Sequence, residues 1–168
     1  MSTFADYVTY FENIAKNHVS IRHDLTNKHF ARFELEEALS GMKARVRFPA
    51  ILLESYEYTM EDLLSDNPMK LRTGAIMVLD KPKRQGDYDE NITIMDTAEQ
   101  IMDDIIRLIY FHKSEFDHEL ARDIDLNTCE VLPITNGPDG SYGFRLSFQI
   151  KSGDDMTLDT DKWVTTEF

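Results

Sequence analysis

His112 and His118 enclose Glu115 and Asp117, and these four side chains are of the kinds that hold a divalent metal or move a proton. Their spacing matches no defined zinc or di-iron pattern. His112 has a simpler role at the end of a helix, where the helix dipole favours a cation. His18, His23 and His29 stand in polar surroundings with no constant spacing. The segment GDDMTLDTD brings four aspartates together. In neither register does it supply both the glycine and the closing glutamate of a calcium-binding EF-hand loop. Cys129 lies among apolar residues in TCEVLPIT, whereas a nucleophilic thiol needs an electropositive, partly exposed setting. No GxSxG, P-loop or GxGxxG sequence occurs. The reading is therefore not an enzyme, with no catalytic residue, metal site or cofactor. A small metal-dependent enzyme built on His112, Glu115, Asp117 and His118 stands as the alternative.

The elements that would position these residues are legible in the pattern. Residues 3–18 read as a helix capped by Ser2 or Thr3, with Phe4, Val8, Phe11, Ile14 and Ala15 in one stripe. A short helix is expected over about 32–40, stopping at Gly41. MKARVRFPAILLESYEY should hold one strand, or two joined at a bend near Pro49, because proline donates no ladder hydrogen bond. EDLLSDNP reads as a connection, KLRTGAIMVLDK as a strand, and PKRQGDYDEN as an exposed loop. Residues 92–112 give the clearest helix, with Met95, Ala98, Ile101, Met102, Ile105, Leu108, Ile109 and His112 on one side. TCEVLPIT and SYGFRLSFQIKS close the fold as strands around the turn NGPDG. In the latter, Phe144, Leu146, Phe148 and Ile150 alternate with Arg145, Ser147, Gln149 and Lys151.

Tight turns between strands favour antiparallel pairing. The expectation is an α+β domain over residues 1–152, with an antiparallel or mixed sheet of about four to five strands. The long helix and the N-terminal helix would pack on that sheet. Residues 153–168 read as an acidic C-terminal tail carrying Trp163, which would lie on the surface or dock on a neighbour.

Composition narrows the classes. A hydrophobic fraction of 42% is enough to build a core. No apolar run approaches the roughly 18 residues that span a bilayer, so no membrane partner is expected. A single cysteine excludes an internal disulfide framework and agrees with a reducing compartment. The net charge of −13 is distributed unevenly. Residues 1–85 hold 12 basic and 12 acidic side chains, whereas residues 86–168 hold 6 and 19. Such a surface repels a phosphate backbone, which argues against a nucleic-acid grip.

Surface suited to protein contact remains. Lys43, Arg45 and Arg47 alternate ahead of the apolar run, and Glu54, Tyr56 and Tyr58 follow it. A basic, tyrosine-bearing half and an acidic half would suit head-to-tail contacts between subunits. The subunit-interface candidates are thus Lys43, Arg45, Arg47, Glu54, Tyr56, Tyr58 and Trp163.

The segment FPAILLESYEYTMEDLLSDNPMKLRTGAIMVLDKP resembles the central part of phage tail terminator proteins. Phe48, Pro49, Ala50, Tyr58, Thr59, Leu63, Ser65, Asp66 and Pro82 carry the likeness, and the order of elements is similar. The resemblance implies a virion protein, made in the host cytoplasm, that forms a ring, usually of six subunits. The ring would cap the head-proximal end of the tail tube and meet the tube and the head-completion proteins. DNA would pass through its middle without specific binding. The region 19–42 and the acidic tail depart from the family pattern and leave a related neck or head-tail connector ring open as an alternative.

Overall fold

Thr3 starts the first helix. Its hydroxyl accepts from the Asp6 N–H at 3.2 Å, while the Asp6 carboxylate accepts from the Thr3 N–H at 2.7 Å, a reciprocal cap that satisfies two otherwise orphaned donors. In the computed structural model, which describes residues 3–33, 46–61, 68–84, 86–153 and 159–162, this helix (α1) runs Phe4–Asn17. Its buried side is Tyr7, Tyr10, Phe11, Ile14 and Ala15. Phe4 and Val8, expected in the core stripe, are only half-buried. The two tyrosines go deeper because each hydroxyl finds a partner there, Tyr7 the Glu54 carbonyl and Tyr10 the His112 ring.

The described residues form an α+β fold with a six-stranded mixed sheet. Its strands are β1 (Phe30–Phe33), β2 (Ala50–Glu54), β3 (Glu57–Glu61), β4 (Met69–Asp80), β5 (Ile124–Thr135) and β6 (Tyr142–Gly153). The order is β1-β2-β4-β6-β5, and β3 joins the same side of β4 as β2 does. β1 and β2 are parallel; every other pair is antiparallel. The long helix (α2) spans Tyr88–Ser114, and a short one (α3) spans Glu119–Asp123.

Three expectations change. Arg32 and Phe33 belong to β1, not to a short helix over 32–40; the remainder of that helix lies outside the described residues. Pro49, joined to Phe48 by a cis bond, precedes β2 instead of bending it. The bend falls at Ser55 and Tyr56, between β2 and β3. The sheet has six strands against the four to five expected, with β1 unforeseen and β3 divided from β2. Of the expected tail over 153–168, Gly153 ends β6 and residues 159–162 are described, with a 3-10 turn over Thr160–Lys162.

One face of the sheet carries the main core. Ile51, Leu53, Ile76, Val78, Leu146, Phe148 and Ile150 meet the buried side of α1 and the α2 residues Ala98, Ile101, Met102, Ile105 and Ile109. A smaller cluster, Ala50, Leu52, Met77 and Leu79, is buried on the other face with Phe48, Val46, Ala31 and Ile134 against it. Both faces of β2 are thus covered, which is why AILL reads as a continuous apolar run instead of an alternation. Farther along, the second face turns polar, with Arg145, Ser147, Gln149 and Lys151 half-buried as the alternation predicts. Gly143 lets β4 and β6 close: its φ is +157°, and a Cβ there would run into the Val78 carbonyl. No helix among the described residues is long and apolar enough to cross a membrane.

Candidate assembly interface

The passage from β2 to β3 sets the geometry of the surface. Leu53 stands opposite Ile76 and Glu57 opposite Thr73, so the chain takes four steps where β4 takes three. One extra residue exchanges the faces, because side chains alternate with period two. Glu54 consequently points to the polar face, whereas Tyr56, Tyr58 and Met60 point to the helix side. Without that residue all four would share one face.

On the polar face, Glu54 receives Arg145 Nε at 2.7 Å and Nη2 at 2.8 Å. The Glu54 carboxylate accepting these bonds raises the Arg145 pKa above its already high value. Farther along the same face, Lys151 Nζ lies 2.6 Å from Asp125 Oδ2 and, with the Asn127 N–H, holds that carboxyl below the usual range. These pairs neutralise themselves, and the Glu54 side chain is 17% exposed.

On the helix side, cations and aromatic rings interleave along the β1–β3 margin. Tyr56 packs inward, its ring centroid 5.3 Å from Phe4 and 5.1 Å from Tyr7. Tyr58 lies beyond α1 and is 57% exposed, with Lys70 Nζ 4.2 Å from its ring centroid. The Arg32 guanidinium stands 5.7 Å from the Phe4 ring, and that of Arg72 5.6 Å from Tyr56. Arg72 is only 3% exposed and donates to Ser152 Oγ at 2.8 Å. Met60, opposite Lys70, is 42% exposed. Arg32, Lys70 and Arg72 escaped the sequence reading. Lys70 and Arg72 were visible as alternate positions in KLRTG, but Arg32 was hidden inside the supposed helix.

Arg47 is exposed ahead of β2, and its Nη1 donates to Asn27 Oδ1 at 2.6 Å. Lys43, Arg45 and Trp163 lie outside the described residues, as do Leu63, Ser65 and Asp66.

The outer side of α2 has the opposite character. Tyr88, Ile92, Asp96 and Glu99 fall on one stripe at helical spacing, Tyr88 82% and Ile92 60% exposed. Asp103 and Asp104 are paired with Arg107 at 3.2 and 2.9 Å. Asp96 and Glu99 have no ion-pair partner among the described residues.

His112 and His118 do come together, around Tyr10. His112 Nδ1 is 3.1 Å from the Tyr10 hydroxyl, and the His118 ring centroid is 4.5 Å from that of Tyr10. Burial, then the adjacent His112, hold the His118 pKa below its ordinary value. A cavity of about 270 Å³ beside it is lined by Asp6, Thr9, Asp117, His118, Glu119 and Leu120. Glu115 and Asp117 are exposed, and no three His, Cys, Asp or Glu side chains among the described residues are placed to share a metal. Cys129 is half-buried, with its thiol pKa pushed up by burial. Along the β1–β3 margin, Arg32, Tyr58 and Met60 are exposed, whereas Phe4, Tyr56 and Lys70 are half-buried and Arg72 is buried.

No protein-family model matches the sequence, and no curated protein matches it.

Proposed function

We propose that this chain is a structural subunit of a tail-terminator-like ring at the head-proximal end of a phage tail or neck. The observation that carries the reading is the course of residues 50–61. Ala50 to Leu53 are buried, and Glu57 to Glu61 are exposed throughout, yet both stretches pair with the same side of β4. β4 thus holds in line a buried strand and an exposed one, an arrangement that would present side chains at the margin to a neighbouring subunit. The likeness of the Phe48–Pro82 segment and the α+β order of elements support the same reading. An excess of acidic side chains after residue 85 suits a channel that must let DNA slide without retaining it.

Native mass spectrometry of the purified chain over a range of concentrations tests this. A closed oligomer, six-fold by the resemblance, is the expected species. A chain that stays monomeric, both alone and when mixed with tail tubes, would overturn the proposal.

A further inference from the structure

Phe116 stands just past the last turn of α2, at the position where helix ends favour glycine. Its φ is +57°, and the Asp117 N–H behind it donates to the His112 carbonyl at 3.1 Å, closing the helix end as a left-handed residue allows. A bulky side chain in that region costs backbone energy that glycine does not. Burial does not offset the cost, since Phe116 is 72% exposed and makes no ring contact among the described residues. Exposed Glu115 and Asp117 flank it, and neither carboxylate has an ion-pair partner among the described residues. The chain thus holds out an aromatic ring between two unpaired carboxylates.

The opposite chemistry lies beyond the other end of α1. An open cavity of about 420 Å³ is lined by Thr26, Lys28, Val46 and Arg47. The Arg47 N–H donates to the Lys28 carbonyl at 2.7 Å, which ties the two cationic residues together at its rim. Arg47 Nη1 donates to Asn27, which carries no charge, and exposed Lys28 has no ion-pair partner among the described residues. Asp24, the carboxylate of the same turn, is taken up by the N–H groups of Thr26 and Asn27 at 2.7 and 2.6 Å. Val46 and the methylene stems of Lys28 and Arg47 supply apolar wall.

The two features cannot meet within one chain. α1 and α2 run antiparallel, with Tyr10 bonded to His112 and His18 3.6 Å from Asp104. Residues 115–117 therefore lie beside the first half of α1, where Asp117 shares a cavity with Asp6 and Thr9. The turn of residues 24–28 follows the far end, anchored by the His23 N–H on the Ala15 carbonyl.

We infer that Phe116 of one copy enters the cavity lined by Lys28 and Arg47 of the next copy. The inference rests on the ring reading and names a contact that builds the ring. The cavity has room for a phenyl ring, and both cations gain from an aromatic face. Glu115 and Asp117 meet Lys28 and Arg47 at the rim, two charges of each sign. An aromatic anchor in a pocket with a charged rim is where binding energy concentrates. Because the two patches come from opposite ends of α1, the contact is heterologous, and its repetition closes into a ring when the rotation allows.

Phe116→Gly separates assembly from folding. Glycine suits the φ of +57°, so the thermal midpoint of this variant should equal or exceed that of wild type. Its self-association, read by sedimentation velocity, should fall at least about tenfold. Charge exchange then checks the pairing. One variant is Lys28→Glu with Arg47→Glu; the other is Glu115→Lys with Asp117→Lys, and circular dichroism establishes that each is folded. Each alone should assemble poorly, and an equal mixture should recover, since reversed cavity meets reversed loop and the remaining surfaces are native. If wild type assembles, alone or on tail tubes, and Phe116→Gly does so equally well, this contact is wrong and the ring reading stands. The same holds if a folded charge variant assembles as well as wild type, or if the mixture fails to recover. A wild-type chain that assembles in neither setting removes both.

Discussion

Arg145 reaches over β4 to hold Glu54 with two parallel hydrogen bonds, one from Nε and one from Nη2. The fork geometry makes the pair stronger than a single contact, but the Arg145 side chain is 34% exposed and solvent screens it. Replacing Glu54 by Gln should cost about 1 kcal/mol of unfolding free energy. A urea-denaturation cycle with Arg145→Met measures the coupling. A value indistinguishable from zero would remove the pair as the clamp that ends β2.

Gly74 faces the Tyr7 hydroxyl, and a Cβ at that position would sit 2.6 Å from it. Gly74→Ala should therefore push the hydroxyl off the Glu54 carbonyl, now 2.9 Å away, and destabilise by about 1–3 kcal/mol. In a Tyr7→Phe background the same substitution should cost clearly less, because the clashing atom is gone. Equal costs in both backgrounds would mean that the strain lies in the backbone and not against Tyr7.

Leu52 belongs to the small cluster on the second face, and its full burial there marks that face as core. Leu52→Ala should cost about 2–5 kcal/mol, whereas exposed Thr59→Ala should stay within about 0.5 kcal/mol. Chemical denaturation of both variants checks the contrast. A loss at Leu52 as small as that at Thr59 would show the second face to be loosely covered.

His118 should make stability fall in mild acid. Its pKa is depressed in the fold, so the folded chain binds fewer protons than the unfolded one and loses stability as pH drops below about 6.5. Tyr10 and Asp6 on α1, His112 on α2, and the adjacent Asp117 and Glu119 surround it. Asp6 and Asp125, with lowered pKa values, add a later loss below about pH 4, where their charge-dependent stabilisation disappears. Asp80 and Asp123 are raised by burial and act with the opposite sign, favouring the fold on acidification. His118→Gln should flatten the first loss and leave the second. Denaturation midpoints of the two proteins across this range decide it, and identical slopes near neutrality would assign the loss to another group.

The long helix was legible because Ile101, Ile105 and Ile109 recur on one side with charged residues opposite. Its first turn was not, since QGDYDEN has the composition of a loop. In the fold Asp87 caps it by accepting from the Glu90 N–H at 3.1 Å. β6 was legible from strict alternation. β1 was hidden, because FARF is too short to show a period and its parallel pairing with β2 is non-local. At the candidate interface, Tyr56 and Tyr58 could be read by type but not by placement. A one-residue shift against β4 cannot be seen without the partner strand, and α1 covers Tyr56 while leaving Tyr58 bare.

The full-length α2 and the three long strands also set how the domain carries force. At about 1.5 Å per residue the 27 residues of α2 extend about 40 Å, the same as 12 residues of strand at about 3.3 Å. The β4–β6 hydrogen bonds lie across that direction, along twelve consecutive residue pairs. Tension along the strands therefore loads the ladder in shear, with all its bonds sharing the strain together, instead of peeling them one at a time. A domain built this way should resist being stretched end to end far better than being pried open from the short β1 side.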